Sequence, residues 1–253
     1  MPSIPKGIAP LAGDNSIFTM TVIPLGTFLS SVDAGRVGRT LAKLDACGPV
    51  DWMLTGGLAV EAHLWRADGG RRLLNDIDLV VPDFVSLPHA LGDRFLVRHA
   101  HPKAGAGKLL IQIVDPEEAL RIDIFSVCGE MFSRSWPLRF GAFSMRLVAA
   151  EDLTARLGVL TTPLARGETV LAKYADDFER LVRATDADRV ETIWRDHRRS
   201  RDPLTFAGAK ACVDEALHTA RHLLIEPEYS RDPAVISDAM SDIRSALPMR
   251  KQC

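Results

Sequence analysis

Residues 52–82, WMLTGGLAVEAHLWRADGGRRLLNDIDLVVP, decide how this chain is to be understood. The segment opens with an apolar run that ends in a glycine pair, Gly56-Gly57. A helix-like stretch and a basic turn follow, and then two aspartates alternate with aliphatic residues. In NDIDLVV, Asp76 and Asp78 stand two apart, so on a β-strand both carboxylates leave the same face. Adjacent carboxylates repel and are costly to keep charged unless a cation lies between them. A divalent metal is the leading explanation; a hydrated strand face is the plainer one.

The bulk properties set the frame. A chain of 253 residues suggests one large or two modest domains. The 47% apolar and 25% charged content matches a soluble globular protein with a sizeable core. A formal net charge of -2 and a pI near 6.4 give no global attraction to nucleic acid. Cys47, Cys128, Cys212 and Cys253 are scattered without CxxC spacing, against a zinc site or a disulfide framework and in keeping with a reducing compartment. The apolar stretch 17–29 is broken by Pro24 and Gly26 and is too short to cross a bilayer. A cytoplasmic protein without a membrane segment is expected.

Outward from the central segment, residues 1–32 form a proline-rich leader, loosely ordered, with a short strand at 18–23. Asp33 is expected to cap a helix that carries Val37, Leu41 and Leu44 and ends near Gly48. Residues 52–54 form a buried strand, 58–65 a helix, and 76–81 a strand closed by Pro82. A short helix is expected at 84–91, and strands at 95–99, 108–114, 120–127 and 142–148. The strands at 108–114 and 120–127 make a hairpin. Beyond Ala149 only helices are expected, at 151–160, 168–184, 188–198 and 206–224. The fold class is therefore α+β: a mixed sheet flanked by helices over 33–148, followed by a helical domain over 149–253.

Three features converge on one chemistry. Gly56-Gly57, between a strand and a helix start, lets backbone approach a phosphate where the helix offers unpaired N–H groups. Asp76 and Asp78 are hard oxygen ligands of the kind Mg²⁺ takes when it also holds substrate phosphates. Asp123, in the strand RIDIF, supplies a third carboxylate that completes a metal site or removes a proton from an attacking hydroxyl.

The glycine pair, the helix, the DID strand and the later strand aspartate together resemble the nucleotidyltransferase superfamily that includes DNA polymerase β. GGLAVEAHLWR and RLLNDIDLVVP are most similar to two branches, the aminoglycoside and lincosamide nucleotidyltransferases and the AbiEii-type toxins of toxin–antitoxin systems. Both usually carry an arginine four residues before the first aspartate, where Arg72 stands. EDLTARL and KYADDFERL are similar to helical segments of the family, with Lys173 and Asp177 at matching positions. The glycine pair lies further from Asp76 than in compact members, a difference the ADGG turn absorbs. Tyr174 replaces the acidic residue or histidine that often follows the lysine.

The resemblance implies Mg²⁺-dependent transfer of NMP from an NTP such as ATP to a hydroxyl on a small molecule or an RNA, with release of pyrophosphate. It assigns Asp76, Asp78 and Asp123 to metal and catalysis, and Gly56, Gly57, Arg72 and Lys173 to the nucleotide. An antitoxin partner follows if the chain belongs to the toxin branch. The alternative is a non-catalytic nucleotide- or RNA-binding module on the same fold. Three other patterns have plainer explanations. KAGAGKL at 103–109 lacks the first glycine and the Ser/Thr of a phosphate loop. His218 and His222 lie one helical turn apart without a third ligand. Arg195, Arg198, Arg199 and Arg201 are interleaved with Asp196 and Asp202, as on a solvated helix end.

Overall fold

A computed structural model describes residues 21–68, 73–100, 110–127 and 129–226. The described residues fall into two compact units, divided between Val148 and Ala149.

The first unit is built on an eight-stranded mixed sheet. In chain order its strands are β1 (Thr21–Ile23), β2 (Met53–Thr55), β3 (Asp76–Val81), β4 (Leu96–Ala100), β5 (Leu110–Asp115), β6 (Leu120–Ser126), β7 (Trp136–Phe140) and β8 (Phe143–Leu147). In space they lie in the order β1-β7-β8-β2-β3-β6-β5-β4. β3 runs antiparallel to β2 and parallel to β6, so it has hydrogen-bonded neighbours on both sides. Its sequence suits that place: Ile77, Leu79, Val80 and Val81 are buried, and only the aspartates keep some access to solvent.

Two longer helices accompany the sheet. Helix α1 (Ser31–Asp45) is capped by Ser30, whose Oγ accepts from the Asp33 amide; Asp33 lies in the first turn rather than at the cap. The helix buries Val37, Thr40, Leu41 and Leu44. It is also pinned to the turn between β5 and β6. Thr40 Oγ1 and Lys43 Nζ both donate to Asp115, each at 2.9 Å, and Arg36 donates to the carbonyl of Glu118. Helix α2 (Gly56–Asp68) starts at the first glycine, directly after β2. His63 on this helix donates from Nε2 to the Val148 carbonyl at 2.9 Å and meets Trp136 edge-on. Burial pulls its pKa down to about 4, against the opposing pull of that hydrogen bond.

Several expectations need correction. The region 84–91 is not one helix but a 3₁₀ turn at Phe84–Ser86, followed by the short α3 (Leu91–Arg94). Strand β7, preceded by the one-turn α4 (Met131–Arg134), is absent from the sequence expectation, and it contains Pro137, a residue disfavoured in a strand interior. Pro137 is accommodated because the ladder to β1 begins only at Leu138. The KAGAGKL segment at 103–109 and most of the leader lie outside the described residues.

The second unit is helical: α5 (Ala150–Thr161), α6 (Ala172–Ala184), α7 (Ala187–His197) and α8 (Phe206–Thr219). Gly158 on α5 lets two aromatic side chains close over the helix. A Cβ there would lie 3.2 Å from Trp194 and 3.3 Å from Phe178. Trp194 also packs on Phe206 and donates from Nε1 to the Pro203 carbonyl. His197 and Asp152, both buried, meet at 2.7 Å. Two short strands absent from the sequence expectation, β9 (Val170–Leu171) and β10 (Leu224–Ile225), pair in parallel. α8 ends at Thr219 and His222 falls in a separate 3₁₀ turn, so His218 and His222 do not share a helix.

Candidate functional site

The register of three ladders assembles the site. Thr55 on β2 pairs with Asp78 on β3, Asp78 with Asp123 on β6, and Asp123 with Gln112 on β5. Residues paired across a ladder project to the same side of a sheet, so these four form one cross-strand row. One step along the same face lies a second row, in which Asp76 pairs with Arg121. Asp76, Asp78 and Asp123 each bring a carboxylate oxygen to within 4.8 Å of the others, and Asp123 is buried at 9% exposure.

Gly56 shapes one edge of this cluster. Its φ of +63° is a conformation that residues with a side chain rarely adopt. A Cβ there would overlap the Asp78 carboxylate, with its Cγ at 2.5 Å and its Cβ at 2.6 Å. The chain can therefore turn from β2 into α2 directly beside Asp78 only because residue 56 is glycine. Gly57 follows within the first turn of α2, which carries no acidic residue. Thr55, just before the pair, is 3% exposed, and its Oγ1 is buried without a hydrogen-bond partner among the described residues.

Two polar residues brace the carboxylates. Gln112 Nε2 donates to Asp123 Oδ1 at 2.8 Å. Arg121 Nη2 donates to Asp76 Oδ2, and Arg121 Nε is 3.4 Å from Asp123 Oδ1. Burial pulls the Arg121 pKa down, but the charges of Asp76 and then Asp123, with the bond to Asp76 and the charge of Asp78, raise it overall.

Asp76, Asp78, Asp123 and Gly56 are thus brought together, with Gly57 next to Gly56. Arg72 lies outside the described residues. Lys173 is in the first turn of α6 in the helical unit, its Nζ 5.3 Å from the Tyr174 ring. Asp177, one turn on, is buried and lies 3.4 Å from Arg180. Arg121, Gln112 and Thr55 were not singled out from sequence. A signal was present for Arg121, because the period-2 pattern in RIDIF puts it on the Asp123 face.

The donor set suits a hard cation. Mg²⁺ takes oxygen ligands at about 2.1 Å, so opposed ligands stand about 4.2 Å apart, close to the span of this carboxylate cluster. Gly56 keeps the flank beside Asp78 clear of side chain.

No protein-family model and no curated protein sequence matches the chain. Among solved structures it is similar to an antigenic nucleotidyltransferase-like protein from Paracoccidioides brasiliensis, at 15% identity and a TM-score of 0.39, covering 79% of this chain and 96% of that one. It is also similar to a candidate nucleotidyltransferase from H. pylori, at 13% identity and a TM-score of 0.30, covering 77% of this chain and 95% of that one. Similarity at this level is broad and assigns no residue a role. Among the described residues, no helix is long and apolar enough to cross a membrane.

Proposed function

We propose that the protein is a Mg²⁺-dependent nucleotidyltransferase that moves NMP from an NTP to an acceptor hydroxyl. The observation that carries this reading is the convergence of three carboxylates from two neighbouring strands beside a side-chain-free turn. Asp76 and Asp78 would hold the cation. Asp123, its carboxylate fixed by Gln112, would complete the ligand set or take the acceptor's proton. Gly56 and Gly57 would receive the triphosphate on backbone amides, with Arg72 and Lys173 countering its charge. The hydroxyl oxygen bonds to the α-phosphorus, the bond from that phosphorus to the bridging oxygen breaks, and pyrophosphate leaves with the electron pair. When bound, the cation offsets phosphate charge and makes the acceptor hydroxyl more acidic.

In this reading residues 33–148 form the catalytic domain and 149–253 a helical accessory domain. The acceptor is a small molecule, as in the antibiotic-modifying branch, or an RNA, as in the toxin branch, where an antitoxin would be the protein partner. A cytoplasmic setting fits the free thiols of Cys47 and Cys212.

The test supplies each labelled NTP with Mg²⁺ and a mixture of RNA and metabolites. Label transfer that disappears in Asp76→Ala and Asp78→Ala supports the enzyme. Absence of nucleotide and Mg²⁺ binding at millimolar concentration rejects it. Nucleotide binding without transfer points instead to a binding module.

A further inference from the structure

Arg121 lies directly across the ladder from Asp76 and two residues before Asp123, on the face that carries the acidic triad. Its guanidinium donates to Asp76 through Nη2, yet Nε, in a 3.4 Å ion pair with Asp123, is shielded from solvent and makes no hydrogen bond among the described residues. A buried donor of a charged group left without a well-aligned acceptor is destabilising. The guanidinium therefore offsets the repulsion among the carboxylates while one of its own donors stays unsatisfied.

We propose that Arg121 is the resident counter-cation of the triad, holding Asp76 in the metal-free protein and releasing it when a divalent cation binds. The inference rests on the metal-dependent reading given above. Arg121 acts through Asp76 and is a positioning residue. Because a guanidinium stays charged at any physiological pH, the competition is permanent. An incoming dication must displace Arg121 or share the site with another positive charge a few Å away, which weakens its binding. The free protein thus holds divalent metal loosely, and the metal binds best together with the triphosphate, whose oxygens supply further ligands. The opposite possibility is a static clamp, in which Arg121 aligns the carboxylates for the metal and its loss weakens binding.

Mn²⁺ titration separates the two, followed by calorimetry and by the electron paramagnetic resonance of free Mn²⁺. The wild type, Arg121→Met and Arg121→Lys are compared, with folding checked by circular dichroism. Arg121→Met is expected to bind Mn²⁺ about tenfold or more tightly, as removal of a cation a few Å away implies. It should melt at a lower temperature without metal and gain more from Mn²⁺ than the wild type gains, with Arg121→Lys intermediate. Equal or weaker affinity in Arg121→Met overturns the inference while leaving the metal-dependent reading intact. Failure of the wild type and both variants to bind Mn²⁺ at millimolar concentration, both without and with an NTP, overturns that reading itself. If Arg121→Met does not fold, wild-type crystals grown with and without Mn²⁺ decide. A guanidinium withdrawn from Asp76 in the Mn²⁺ form is expected; one still bonded to Asp76 beside a bound Mn²⁺ overturns the inference.

Discussion

Gly56 and Asp78 occupy space that only one side chain can fill: a methyl group on residue 56 would overlap the Cβ and carboxylate of residue 78. The contact joins the turn after β2 to the central strand β3. Gly56→Ala meets both the steric conflict and the left-handed φ, the latter worth about 1–2 kcal/mol. We expect it to lose at least about 2 kcal/mol in urea denaturation. Asp78→Gly removes the opposing atoms, so Gly56→Ala should be milder in that background by about 1 kcal/mol or more. Equal effects in the two backgrounds would show that the backbone alone accounts for the loss.

The brace on Asp123 makes a separate prediction. Gln112→Leu keeps the bulk of the side chain but removes the amide that donates to Oδ1 at 2.8 Å. A buried carboxylate that loses a donor loses a charge-assisted hydrogen bond, so stability should fall by about 1–2 kcal/mol. Chemical denaturation at pH 7.5 tests this. Unchanged stability would mean that the amide only fills space.

His63 gives the β-sheet unit a pH dependence of known sign. In the unfolded chain its pKa is near 6.5, whereas burial holds it at about 4 in the fold. The unfolded state therefore binds the proton first. The stability contributed by neutral His63 is complete above pH 6.5 and is lost as the pH falls toward 4. The difference corresponds to at most about 3 kcal/mol, an upper bound because part of the residue remains accessible. His63→Gln keeps a donor for the Val148 carbonyl without a titrating ring. Between pH 7.5 and pH 4.5 it should lose less stability in guanidinium denaturation than the wild type does. Parallel losses would remove His63 as the cause.

Much of this arrangement was legible in the sequence. The alternation in NDIDLVV gave β3 its limits, and the same periodicity in LRIDIFS gave β6 and the face of Asp123. Ladder register was not legible, because a pairing such as Asp76 with Arg121 depends on which strands become neighbours. For the same reason Gln112 carried no signal: its role exists only once β5 is laid against β6. The place of Pro137 in β7 was not legible either, since its tolerance depends on where the β1 ladder starts. At α1 the preference for Ser or Asp as a cap was sound, but Ser30 and Asp33 both satisfy it, and the backbone geometry selects Ser30.

The helical unit holds a buried pair whose worth can be measured without reference to any substrate. His197 Nε2 meets Asp152 Oδ1 at 2.7 Å with almost no access to solvent, joining α7 to α5 beside the Trp194 cluster. His197→Leu leaves the Asp152 carboxylate buried without that partner, a change that typically costs about 3–5 kcal/mol. Replacing both residues with apolar ones removes the buried carboxylate together with the bond. The double variant His197→Leu/Asp152→Leu should therefore be more stable than His197→Leu alone, by about 1–4 kcal/mol. Urea titrations of the four proteins in the cycle, followed by Trp fluorescence, give the coupling directly. If the double variant is less stable than His197→Leu, Asp152 is holding the unit together through other contacts, and its pairing with His197 is secondary.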